Sequence, residues 1–261
     1  MSSFGNSDGR GGGDPAGRRN AEETRIQTPK LEVCAASLAS AQAALEGGAD
    51  RIEFCRELRV GGLTPDFREI EQLAGTYPLP VHVLVRPRAG DFEYDTEAFR
   101  HLLDEIRMCR NLGVAGIVTG CLTDTGEPDV DRMRRVMDAA GGLPVTFHRA
   151  FDLVADPFRA MDRLVELGVG RILTSGGQAD AVAGAASLRT WVEWVDGRLE
   201  IMPGGGIRVE NLSDLHRIVG ARSYHASLQK KGVSGQPEAV AADGVTDSER
   251  VRRAMEILRG A

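Results

Sequence analysis

Between Pro29 and the carboxyl end, a short strand-like run followed by a stretch with helical spacing recurs eight times. The strands are predicted at Leu31–Ala35, Arg51–Cys55, Val81–Arg86, Gly116–Cys121, Val145–Ala150, Arg171–Ser175, Glu200–Pro203 and Ser223–Leu228. The helices are predicted at Ser37–Gly47, Asp66–Ala74, Thr96–Leu112, Val130–Ala140, Pro157–Leu167, Ala181–Val195, Val209–Val219 and Asp247–Leu258. Boundary signals agree with this division. Ser37 is placed to cap the first helix, Asp156-Pro157 reads as a cap followed by proline at the first helical position, and Gly113, Gly168 and Gly220 follow helix ends. Eight strand-helix units of about 25–30 residues predict an α/β fold, a single-domain TIM-type (β/α)8 barrel. A doubly wound open sheet is the alternative, but no Gly-rich dinucleotide turn follows the first strand.

Two segments stand outside this rhythm. Residues 1–28 are rich in Gly, Ser, Asn, Asp and Arg and are expected to be a disordered extension, leaving 29–261 for the barrel. Gln229 to Val245 lacks periodicity and is expected to be a long loop after strand eight, on the catalytic face.

Side chains two apart on a strand share a face. Leu31-Glu32-Val33-Cys34 and Arg51-Ile52-Glu53-Phe54-Cys55 therefore each set a carboxylate and a thiol on one side and aliphatic or aromatic groups on the other. In a barrel the apolar side meets the helices and the polar side faces the interior. The same alternation turns His82, Leu84 and Arg86 inward from the third strand, Thr146 and His148 from the fifth, and Ser223, His225 and Ser227 from the eighth. The fourth strand is read as offering Thr119 and Cys121, the sixth Ser175. Unpaired buried charge is costly, so Arg86 is expected to pair with Glu53 on the neighbouring strand.

Inward thiols at equivalent positions of adjacent strands, about 4.8 Å apart, can grip one soft ion, Cu(I) or Zn(II). Free cysteine also serves as a small buried hydrophobe, and Cys109, at helical spacing with Phe99, Leu102 and Ile106, is assigned that role. Ser175-Gly176-Gly177 and Pro203-Gly204-Gly205-Gly206 follow strands six and seven, where bare amides beside Arg86, Arg149 and His225 would suit an anion. A net charge of −6 gives no general attraction to nucleic acid or anionic membrane. No apolar run reaches the ~18 residues of a membrane span. Four cysteines without a close pair argue for a reducing, cytoplasmic setting.

The strings LEVCA, ADRIEFC, GGLTPDF, VHVLVRPRAGDFEY, IVTGCLTDTGEPD, VTFHRAFD, RILTSGG, PGGGIRVENL and SYHAS run in the order and spacing of the CutC copper homeostasis proteins, which this chain resembles over about residues 30–230. The resemblance implies a TIM-type barrel, a cytoplasmic location and a homodimer or higher homo-oligomer. It also implies Cu(I) binding through cysteines of the first two strands, which match Cys34 and Cys55 here. The N-terminal extension and the acidic loop after Lys231 depart from the family pattern.

Two functions are expected to compete. In the first, Cys34 and Cys55 hold copper and the protein serves copper homeostasis. In the second, the barrel is an enzyme acting on a small polar or phosphorylated metabolite. Glu32, Glu53, Arg86 and His148 are its catalytic candidates. Arg88, Thr119, Arg149, Asp152, Ser175, Gly176, Gly204, Gly205, His225 and Ser227 are its substrate- or anion-binding candidates. A scaffold or regulatory barrel with an inactive pocket is a third reading.

Overall fold

The computed structural model describes residues 28–75, 77–230 and 244–260. Eight parallel strands lie in one sheet: β1 (Lys30–Ala35), β2 (Arg51–Phe54), β3 (Val81–Leu84), β4 (Gly116–Thr119), β5 (Val145–Phe147), β6 (Arg171–Thr174), β7 (Glu200–Pro203) and β8 (Ser223–Ala226). Their order is β7-β6-β5-β4-β3-β2-β1-β8, and a parallel bridge between Gly204 and His225 brings β7 to β8. The sheet thus curls into a nearly closed barrel. The helices that alternate with the strands are α1 (Leu38–Gly47), α2 (Phe67–Leu73), α3 (Thr96–Asn111), α4 (Val130–Ala140), α5 (Pro157–Glu166), α6 (Ala185–Val195), α7 (Val209–Val219) and α8 (Ser248–Arg259).

Local chemistry sets the helix ends. Ser37 accepts from the Ser40 amide, and Asp66, Asp95, Asp129, Asp156 and Asp247 cap α2, α3, α4, α5 and α8 in the same manner. Each such cap stabilises by about 1 kcal/mol. Helix α6 begins later than predicted because the Asp180 carboxylate accepts from the Val182 and Ala183 amides, which holds that stretch as a turn. Strand β5 also ends early. His148 accepts from the Ala150 amide and starts a short 3-10 turn at Arg149–Leu153.

The main core lies between the sheet and the helices, where Leu31, Val33, Ile52, Phe54, Val83, Phe147 and Tyr224 are buried together. A second, small apolar cluster of Cys34, Cys55, Leu84 and Val118 sits inside the barrel. The predicted sidedness therefore holds for β1, β2, β3, β5 and β8 and fails for β4. Thr119 pairs in register with Phe147, and Ile117 and Cys121 belong to the helix-side core, so Val118 is the inward residue. Ile117-Val118-Thr119 is apolar or β-branched throughout, and alternation cannot orient a strand buried on both faces. Thr119 is tied down as well, its hydroxyl donating to the Val85 carbonyl at 2.8 Å.

Nearly all of the predicted N-terminal extension, and most of the predicted loop after β8, lie outside the described residues. The loop's two described ends meet in an antiparallel bridge between Gln229 and Thr246. Among the described residues no helix is long and apolar enough to cross a membrane.

Candidate metal centre

Strand register assembles the interior. Glu32 stands opposite Arg51 on one side and His225 on the other, and Cys34 stands opposite Glu53. All of these alternate with aliphatic neighbours, so the pleat that buries Val33 and Ile52 against the helices also points this polar set at the barrel axis. Glu32 is fully buried and doubly held: Arg51 pairs with its Oε2, and His225 Nδ1 donates to its Oε1 at 2.8 Å. The opposite ring nitrogen of His225 lies 4.0 Å from Glu53 Oε1. The Cys34 thiol donates to that same oxygen at 3.5 Å and touches the Cys55 sulfur, also at 3.5 Å. The result is one continuous line: Arg51, Glu32, His225, Glu53, Cys34, Cys55.

The charges along it follow from these contacts. Burial pushes the Glu32 carboxyl up, but Arg51 and His225 outweigh it and hold the group well below the usual carboxylate range. Burial opposes charge on His225 too, yet Glu53, Cys34 and Glu32 keep its imidazole protonated well above the ordinary value. Glu53 is raised, by burial first and Glu32 next, with His225 opposing. The Cys34 thiol is pushed far up by its hydrogen bond to Cys55, by burial and by Glu53. Without a ligand, then, Cys34 is a thiol rather than a thiolate.

Two triads bring their donor atoms within 4.8 Å of one another, Cys34–Glu53–Cys55 and Glu32–Glu53–His225. Glu53 belongs to both. Its Oε2 is buried without a hydrogen-bond partner among the described residues, and such an atom is costly unless something else occupies its acceptor positions. The walls around the sulfurs are apolar: Leu84 and Val118, with Ala36 and Leu58 packed against them.

The other predicted residues divide. Arg86 does not pair with Glu53. It donates to the carbonyls of Val60, Gly62 and Gly90 at 2.7, 3.0 and 2.7 Å and stacks on Phe92, with ring centroid 4.8 Å away. The register sets Glu53 opposite His82, four residues before Arg86, so Arg86 pins the loops after β2 and β3 and His225 takes the place foreseen for it. Arg88 is half-buried and bound to Asp91 at 2.6 Å within its own loop. His148 is buried against Phe92, with Nε2 unpartnered among the described residues, and its pKa is lowered to about 3 by burial and by Arg86. Gly120 makes room for that ring, since a Cβ there would stand 2.8 Å from it.

Across the mouth, Asp152 accepts from Thr174 Oγ1 at 2.5 Å, from the Ser175 and Gly177 amides at 2.9 and 3.2 Å, and from Arg149 at 2.8 Å. Arg149 also reaches Ser175 Oγ at 3.0 Å and lies over Gly205, where a Cβ would meet its guanidinium at 3.1 Å. The glycine turn after β6 thus already holds an anion, its own Asp152. Gly176 gives its amide to Thr174 Oγ1 at 3.0 Å, and Ser227 accepts from Thr246 through its carbonyl. Gly204 backs onto His225. Sequence reasoning passed over Arg51, although it shares alternation with Glu53 and Cys55, a signal that could have found it.

A family model described as the CutC family matches residues 29–230. The chain belongs to the CutC family. A CutC protein of Parabacteroides distasonis is 45% identical over 200 residues, covering 76% of this chain and 82% of its own length. One from Xylella fastidiosa is 39% identical over 235 residues, with 87% and 88% covered. The crystal structure of CutC from Streptococcus agalactiae superposes with a TM-score of 0.73 at 30% identity, covering 76% of this chain and 98% of that one. The CutC match begins just before β1 and ends just after β8, so every residue of the polar line lies inside it.

Proposed function

We propose that this CutC protein takes part in copper homeostasis and binds one Cu(I) ion between Cys34 and Cys55. The observation that carries the reading is the sulfur pair itself, buried, 3.5 Å apart, with the unsatisfied Glu53 carboxylate beside it. Two metal–thiolate bonds of about 2.3 Å span at most ~4.6 Å, so sulfurs 3.5 Å apart can share a single ion held at a bent angle, on the side where Glu53 stands. Two soft donors in an apolar niche favour a soft, weakly hydrated cation over a hard one. Binding must displace both thiol protons; the neighbouring Glu53, whose affinity for protons is raised, is the acceptor at hand for that of Cys34, and the other leaves to solvent. The copper-homeostasis name carried by the Streptococcus agalactiae protein points the same way. A cytoplasmic homo-oligomer is the setting this reading assumes.

Competition against a strong Cu(I) chelator tests it. Reduced protein is expected to retain one equivalent of Cu(I), and Cys34→Ser and Cys55→Ser each to lose it. Undiminished Cu(I) uptake by the double variant would overturn the reading.

An enzymatic reading rests on one specific observation: a buried carboxylate of raised pKa with an open oxygen is suited to general acid–base work. It requires a small polar substrate whose binding raises the Tm of the wild type but not of Glu53→Gln.

A further inference from the structure

At the amino end of the barrel, opposite the thiol pair, lies a cavity of about 320 Å³. Its wall carries five cations, Lys30, Arg51, Arg171, Arg198 and Arg222, against one carboxylate, Glu200. Three of the five are neutralised: Arg51 by Glu32, Arg171 by Glu200 at 2.8 Å and Arg198 by Asp162 at 3.0 Å. Lys30 and Arg222 have no carboxylate partner among the described residues. Lys30 begins β1 and Arg222 immediately precedes β8, the two joined where the Lys30 amide donates to the Arg222 carbonyl at 2.9 Å. The Arg222 guanidinium spreads over Gly197, where a Cβ would lie 3.5 Å from Nη2. Arg51, nine-tenths buried and clamped by Glu32, forms a fixed cationic roof.

Concave walls focus the field of like charges, and crowded cations destabilise the fold unless an anion answers them. We propose that this cavity binds a small polyanion, a compound carrying a diphosphate or an equally dense pair of negative charges. Lys30 and Arg222 supply the unneutralised charge, and Arg171 and Arg198 line the wall beside them. Two considerations select a diphosphate over a single phosphate. There are two unpaired cations rather than one, and the volume falls at the lower end of small-molecule sites. Guanidinium groups present forked donors that match phosphate oxygens in pairs. The site shares no ligand with the copper reading and stands independently of it.

Titration calorimetry of the full chain with sodium pyrophosphate at low ionic strength provides the test, with inorganic phosphate run alongside. One equivalent of pyrophosphate is expected to bind at least about tenfold more tightly than phosphate, a difference of about 1.4 kcal/mol. Lys30→Ala/Arg222→Ala is expected to weaken pyrophosphate binding by at least about tenfold, with a Tm no lower than that of the wild type in phosphate-free buffer. Arg222→Glu is expected to abolish binding, and Cys34→Ser/Cys55→Ser to leave it intact. Absence of saturable pyrophosphate binding, equal affinity for phosphate, or wild-type affinity in the double variant would each overturn the proposal.

Discussion

Two carboxylates at the mouth of the barrel, Asp152 and Glu53, are both nearly buried, and their surroundings are opposite. Asp152 fills its acceptor positions with two hydroxyls, two backbone amides and a guanidinium. Glu53 has one oxygen shared between a thiol and an imidazole at longer range, and the other without a partner among the described residues. A saturated carboxylate holds loops in place; an unsaturated one beside two thiols is poised to take a ligand. The Gly-rich turns looked like the anion site and the cysteine strands like either packing or a metal site. The turn after β6 carries its own anion, Asp152, whereas Glu53 keeps one unfilled oxygen beside the sulfurs.

The largest test of this contrast is Cu(I) retention in the two sectors. Asp152→Asn is expected to keep its copper under chelator competition, whereas Cys34→Ser is expected to lose it, measured by metal content after desalting. Loss in both would remove the distinction between a structural and a ligand-binding sector.

Next in size is stability. Asp152→Ala strands several buried donors and is expected to cost about 2–3 kcal/mol in urea unfolding. Glu53→Gln removes a buried charge that is poorly satisfied and is expected to lie within about 1 kcal/mol of wild type. If Glu53→Gln proved the more damaging of the two, Glu53 would be structural.

The smallest effect is a slope. His148 is neutral in the fold, with its pKa lowered from 6.5 to about 3 by burial and by Arg86. A depressed value means the unfolded chain binds the proton first, so its contribution is complete above pH ~6.5 and is lost as pH falls toward 3. His148→Gln is expected to flatten the acid limb of stability by up to about 1.4 kcal/mol per pH unit, read from urea unfolding between neutral and mildly acid pH. His225 works in the other direction. Its raised pKa stabilises fully below the unfolded value of 6.5, and that contribution fades as pH climbs through the raised value. An identical slope in His148→Gln would mean that the ring is protonated in the native protein.

Much of this was legible before any coordinates, and the failures have specific causes. The caps Ser37 and Asp156 could be named because capping is decided within three or four residues of the chain. The inward placement of Glu32, Cys34, Glu53 and His148 followed from alternation, which is a property of each strand alone. Strand β4 escaped because its residues are apolar on both faces. The partner of Glu53 escaped because alternation gives a face but neither a height nor a neighbour. Register sets Glu53 opposite His82, four residues before Arg86, whose guanidinium goes to three loop carbonyls instead. His225, far away in sequence, arrives only because the barrel brings its last strand beside its first.

The sequence by itself determined the order of strands and helices, the residues that shun water, and the pair of thiols set beside a carboxylate, since these depend on periodicity and near neighbours. Only closure of the sheet decided which charges met. It set His225 between Glu32 and Glu53, left Glu53 with a free oxygen, and drew Lys30 and Arg222 together at the opposite end. Electrostatic partnership is a through-space quantity, and in a barrel the distances that govern it exist only once the first and last strands are side by side.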